Sequence, residues 1–92
     1  MIEVEQKANE GTLMVFSVVV SDSAGRTQHR VTLMDSTYQR LTAGKITPVA
    51  CIQAAFRFLL ERQSKGDLLL SFDLNVLQLS HANFDKEFPN YL

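Results

Sequence analysis

Residues Thr47 to Lys65, T-P-V-A-C-I-Q-A-A-F-R-F-L-L-E-R-Q-S-K, set the terms on which this chain folds. Thr47 is placed to cap a helix, its hydroxyl accepting from a free N–H of the first turn. Pro48 follows at the first helical position, where a missing N–H is no loss. The interior is rich in Ala, Leu, Arg and Gln, all good helix formers. Arg62 and Lys65 are expected in the last turn, against the negative end of the dipole, with Gly66 as the residue that closes the helix. Val49, Ile52, Phe56, Leu59 and Gln63 recur at the spacing of one buried face. Cys51, Ala55, Phe58 and Arg62 make a second face, which leaves Gln53, Arg57, Glu61 and Ser64 as a narrow polar strip. A surface helix normally keeps a wider polar face. One sheet covers one side of a helix, so the second apolar side predicts a cover from another chain, and self-association is the expectation.

Upstream, Thr12 to Ser21 and Arg26 to Met34 predict two antiparallel strands joined by a loop at Asp22-Ser23-Ala24-Gly25. Facing Ser21 with Arg26 sets the register, with Phe16 opposite Val31, Met14 opposite Leu33 and Val18 opposite His29. These residues and Val20 make the face expected to meet the helix. Leu13, Val15, Ser17 and Val19, opposite Met34, Thr32, Arg30 and Gln28, make a second face of mixed character. A slip of one residue would exchange the two. Ile2 and Val4, alternating with Glu3 and Glu5, predict a short edge strand, and Ala8-Asn9-Glu10-Gly11 a turn. A short helix over 35–43 is expected, capped by Asp35, with Tyr38 and Leu41 inward and Gly44 ending it.

After Gly66 two structures fit. Asp67 and Asp73 stand where N-caps belong, which predicts short helices over 67–80. The alternation Phe72, Leu74, Val76 would also suit a fourth strand. The helical reading is preferred here. Residues 81–92, H-A-N-F-D-K-E-F-P-N-Y-L, form an aromatic tail in which Pro89 prevents a long helix. Its Phe84, Phe88, Tyr91 and Leu92 either pin the tail to its own domain or anchor it in a neighbouring subunit. The expected fold class is α+β, in one domain over 1–92. A small antiparallel β-meander of two to three strands (2–34) packs on one main helix (47–65), followed by short C-terminal helices.

A single cysteine excludes an intramolecular disulfide, and Cys51 in an apolar helix reads as a buried, inert thiol. The four glycines are too scattered for a dinucleotide or phosphate loop, so no cofactor is expected. No apolar run approaches the ~20 residues that span a bilayer. The opening M-I-E-V-E-Q-K has no apolar signal-peptide segment, so a cytoplasmic location is the expectation. His29 has no partner that the strand register brings near it. His81, Asp85 and Glu87 could hold a metal only on a helix, which Pro89 opposes. Nucleophile, base and stabiliser do not converge anywhere, so the chain is read as a non-enzyme.

The net charge of −1 hides an uneven distribution. Residues 1–25 carry net −3, residues 26–65 net +5 and residues 66–92 net −3. Acidic ends could fold over a basic middle and cancel it, or the middle could present a basic partner-binding surface. The function expected is a non-enzymatic protein-interaction or homodimeric accessory module, its partner another copy or another protein, with Phe58, Phe84, Phe88 and Tyr91 as contact residues. The alternative is an antitoxin-like nucleic-acid-binding regulator using Arg26, Arg30, Arg40 and Lys45, by analogy with small strand-hairpin-helix DNA binders.

The layout H-R-V-T-L-M-D, T-P-V…A-F-R-F-L-L-E-R, F-D-L-N-V-L and F-P-N-Y resembles a family of small prokaryotic proteins. These share a hairpin, a helix ending in F-L-L-E-R and an F-D-L segment closing on F-P-x-Y. The resemblance covers roughly residues 29 to 91 and departs from the pattern at Ala82 to Glu87. It implies a folded domain and favours helix after Gly66. No activity is attached to that family, so the resemblance implies no function.

Overall fold

The computed structural model describes residues 1–92. Strands β1 (Ile2–Glu10), β2 (Leu13–Asp22) and β3 (Gly25–Met34) are followed by helices α1 (Asp35–Thr42) and α2 (Pro48–Leu60). Strand β4 (Ser71–Asp73), α3 (Leu77–Ser80) and α4 (Phe84–Glu87) complete the chain. The sheet order is β1-β2-β3-β4, with β4 parallel to β3 through Arg30–Ser71, Val31–Phe72 and Thr32–Asp73. The class is therefore α+β, but the sheet is mixed and four-stranded rather than an antiparallel meander of two to three strands, and four α-helices accompany it. A parallel partner needs a long crossover, and α1 and α2 supply it.

Strand β1 runs beyond the expected edge strand. Ala8, Asn9 and Glu10 pair with Val15, Met14 and Leu13, so the turn falls at Gly11 and Thr12 instead of 8–11. Gly11 takes φ 68°, a conformation that side-chain-bearing residues resist. A bulge between Gln6 and Ala8 absorbs Lys7. Strands β2 and β3 pair in the predicted register, with Phe16 opposite Val31 and Val18 opposite His29. Pairing continues to Asp22 and Gly25, so the turn holds two residues rather than four, and the Asp22 carboxylate accepts from the Ala24 N–H at 2.8 Å. Taking one residue from each side of a loop leaves the register unchanged.

Helix α1 starts at Asp35 itself, with Met34 at the N-cap and no capping side chain. Asp35 thus favours the first turn through the dipole and not as a cap. Helix α2 opens as predicted, the Thr47 hydroxyl accepting from the Ala50 N–H at 3.1 Å and Pro48 standing first. It ends at Leu60, earlier than expected. The Arg62 and Gln63 N–H groups both turn back to the Leu59 carbonyl. Arg62 then stacks over the Phe58 ring, 3.8 Å from its centroid, and Lys65 reaches Asp22 at 3.0 Å. Those contacts draw both cations off the helix, and Gly66 sits within a 3-10 turn at Lys65–Asp67. Residues 67–80 realise both readings in turn. Phe72 lies in a strand, while the Asp73 carboxylate caps the next turn by accepting from the Asn75 N–H at 2.9 Å. Asp67 caps no helix and accepts from the Ser64 hydroxyl.

One cluster of 19 buried residues forms the core. From the sheet it takes Met14, Phe16, Val18, Val20, Val31 and Leu33, all on one face. Phe56 brings α2 against that face, meeting His29 edge-on at 5.6 Å and Phe72 at 6.0 Å. The opposite side of α2 is covered by the chain's own C-terminal segment. Phe58 meets Phe84 at 4.9 Å and Tyr91 at 5.8 Å, both edge-on, and Phe84 meets Phe88 at 5.3 Å. The order of layers is sheet, α2, tail. The second apolar face of α2 thus needs no second chain to cover it. The expectation that it did overlooked the tail as a third layer.

Candidate interaction surface

Phe58, Phe84 and Phe88 are 0% exposed, and Tyr91 is half-buried. They hold the tail onto its own chain, and a residue without surface has none to offer a partner. Arg62 closes this layer, donating to the Phe58 carbonyl at 2.9 Å, the Tyr91 hydroxyl at 3.1 Å and Glu87 at 2.8 Å. The bond to Tyr91, then the attraction of Tyr91 and Glu87, push its guanidinium above the ordinary arginine range.

The acidic ends meet the basic middle at three ion pairs. Lys65 pairs with Asp22 at 3.0 Å, Arg40 with Asp85 at 3.2 Å and Arg62 with Glu87 at 2.8 Å. Arg40 also donates to Asn75. Of the four cations of the nucleic-acid reading, Arg40 on α1 is thus engaged, Lys45 lies between α1 and α2, and Arg26 and Arg30 stand on β3. They are spread over separate elements.

The candidate chemical groups are committed elsewhere. His29 is 1% exposed, and its Nδ1–H donates to the Leu69 carbonyl at 2.7 Å. That leaves Nε2 to accept from the Thr27 hydroxyl at 2.8 Å on the same strand, so both ring nitrogens are engaged and the Nδ1 bond joins β3 to the segment before β4. Cys51 is fully buried, and burial pushes its thiol up to about 12. His81 packs edge-on against Phe58 at 5.4 Å, while Asp85 and Glu87 bind Arg40 and Arg62. No cluster of three His, Cys, Asp or Glu side chains is placed to hold a metal ion. A hollow of about 260 Å³ beside Leu59, Phe72 and Leu77 is also lined by Asp67, Ser80 and His81, the Ser80 hydroxyl lying 3.0 Å from His81 Nδ1.

The outer face of the sheet is different. Cross-strand rows there read Glu3–Val19–Gln28, Glu5–Ser17–Arg30, Ala8–Val15–Thr32 and Glu10–Leu13–Met34. Strand β2 contributes Leu13, Val15 and Val19 with Ser17 among them, β1 a mainly acidic line and β3 a basic and polar one. Val15 is 7% exposed yet lies outside the core cluster. Only neighbours on this open face shield it, and Lys7, Gln28 and Arg30 share a shallow hollow with it. Met34 is 44% exposed. The mixed second face was visible in the β2–β3 pattern. The opposed charged lines were not, because they depend on β1 continuing to Glu10 past its bulge.

Comparison with protein-family models, with curated proteins and with solved structures finds no match to this chain. No helix is long and apolar enough to cross a membrane. The functional reading therefore rests on surface chemistry.

Proposed function

We propose that this protein is a non-catalytic interaction module, a homodimer or an accessory subunit, that works through the outer face of its sheet. The observation that supports this is Leu13, Val15 and Val19, with Ser17 among them, standing on β2 between two charged strands on the face opposite the core. A solvated sheet face is polar along every strand, whereas a face that packs on another sheet carries β-branched and aliphatic side chains at its centre. At about 3.3 Å per residue and about 4.8 Å per strand, the three long strands present about 33 by 14 Å, on the order of 500 Å² in projection. A matched surface on a partner brings the total to about 1,000 Å², the lower range for a specific interface.

The nucleic-acid alternative has less support. Arg26 and Arg30 share this face with Glu3, Glu5 and Glu10, two strand spacings or about 10 Å away. That is comparable to the ~8 Å screening length in physiological salt, so the acids oppose the approach of phosphate.

Val19→Lys tests the reading, because Val19 lies outside the core cluster. In a native extract the tagged wild-type chain should sediment well above its 10.4 kDa. The Val19→Lys chain should sediment as a folded monomer, with stability lowered by about 1 kcal/mol or less. A wild-type monomer in extract, or an assembly indifferent to Val19→Lys, would overturn the proposal.

A further inference from the structure

Resting on the interaction-module reading, we infer that the occupant of the outer face is a second copy of this chain, related by a two-fold axis that runs along β2. The charges on the face select both partner and axis. On the outer side β1 carries Glu3, Glu5 and Glu10 with Lys7 as its only cation, while β3 carries Arg26 and Arg30 and no acid. Two faces can meet about a two-fold axis lying either across the strands or along them. An axis across the strands lays β1 on β1 and β3 on β3, acid on acid and base on base. An axis along the strands exchanges left and right while keeping the position along each strand. It lays β1 over β3 of the second copy and β2 over β2.

The register makes this match specific. Glu5 and Arg30 lie in one cross-strand row, through Ser17. The axis along β2 therefore sets Glu5 of each chain over Arg30 of the other, and symmetry makes the pair twice. Leu13, Val15 and Val19 meet their own counterparts, as an isologous interface requires. Inclining the axis by about 15° to the strands gives the ~30° crossing at which twisted sheets pack. In the free chain Glu5 holds Lys7 at 2.7 Å, with side chains 71% and 54% exposed. So exposed a pair is weak enough to exchange for a desolvated one. Edge-to-edge association is opposed by the bulge at Lys7 on β1 and by the three-residue length of β4.

Charge reversal tests the inference. One variant carries Glu3→Lys and Glu5→Lys, the other Arg26→Glu and Arg30→Glu. All four positions are exposed, so each variant should keep the wild-type circular dichroism. By sedimentation equilibrium at low salt, each alone should dimerise at least about 10-fold more weakly than wild type, and an equimolar mixture should recover heterodimer. Misfolded variants could not produce that recovery. A mixture that stays monomeric would overturn the inference, as would a Lys variant that pairs better with wild type than with the Glu variant. Low-salt binding of mixed-sequence DNA that the Glu variant alone loses would assign the face to nucleic acid instead. If purified wild type is monomeric while a Val19-dependent assembly persists in extract, the second copy is refuted and the module reading stands. If both are monomeric, both fail.

Discussion

Replacing Phe84 by alanine removes the centre of the third layer. The ring is 0% exposed and lies between Phe58, at 4.9 Å and 81°, and Phe88, at 5.3 Å. Deleting a buried phenyl group costs about 3–5 kcal/mol. The two ring contacts account for about 0.5–1.5 kcal/mol each within that figure. At about 0.05–0.15 kcal/mol per residue, a chain of this length is stable by about 5–14 kcal/mol. The substitution should therefore remove about a fifth or more of the total and lower the melting temperature by about 12 °C or more. Urea unfolding followed by circular dichroism measures the loss. Phe84→Leu, which keeps most of the volume, should cost less than about 1.5 kcal/mol. A Phe84→Ala loss below about 1 kcal/mol would refute the tail as a layer of the core. The Phe58 side of α2 would then be open, and the case for an aromatic anchor reaching another subunit would return.

Other expectations can be checked on the same protein. Arg62→Ala should cost about 1–2 kcal/mol in urea unfolding, through lost stacking on Phe58 and lost cover of the tail, with Arg62→Lys recovering part. Equal values for the two variants would contradict the stacking. His29→Leu removes the bonds to the Leu69 carbonyl and the Thr27 hydroxyl and should cost about 1 kcal/mol by the same assay. The Cys51 thiol, pushed up to about 12, should ignore a disulfide reagent in the native protein and react fully in denaturant. Rapid native labelling would contradict its burial. Bonds from Lys65 and the Ala24 N–H hold the Asp22 carboxyl below its ordinary 3.8. A depressed carboxyl stabilises the fold above its unfolded value and loses that contribution as pH falls through the folded one. Asp22→Asn should therefore flatten the pH dependence of the melting temperature below about pH 4, and an unchanged acid profile would count against the Lys65 contact.

What the sequence made legible was local or periodic. The β2–β3 register follows from facing Ser21 with Arg26 across the loop, and alternation then puts Phe16 and Val31 on the same side. The start of α2 follows from Thr47 and Pro48. The end of α2 was not legible, because Arg62 and Lys65 are drawn off by Phe58, Tyr91 and Asp22, residues distant in the chain. Strand β4 has three residues and exists through its pairing with β3, so the alternation Phe72, Leu74, Val76 did not separate it from short helices. The third layer did leave a signal. Phe84, Phe88 and Tyr91 are spaced four and three apart, the pattern of one helical face, as Phe58 on α2 and Arg62 just beyond its end are four apart. Those two faces together place the tail on its own chain and leave Phe58, Phe84 and Phe88 without surface. The outer sheet face then remains as the surface where apolar and complementary charged lines coincide.

Methyl NMR of the purified chain across a dilution series tests that surface most directly. Shifts at Leu13, Val15 and Val19 that follow concentration, with exposed Leu79 and Leu92 unmoved, are the predicted result. Shifts confined to Leu79 and Leu92, or none at any concentration, would contradict pairing of this chain through the outer face of its sheet.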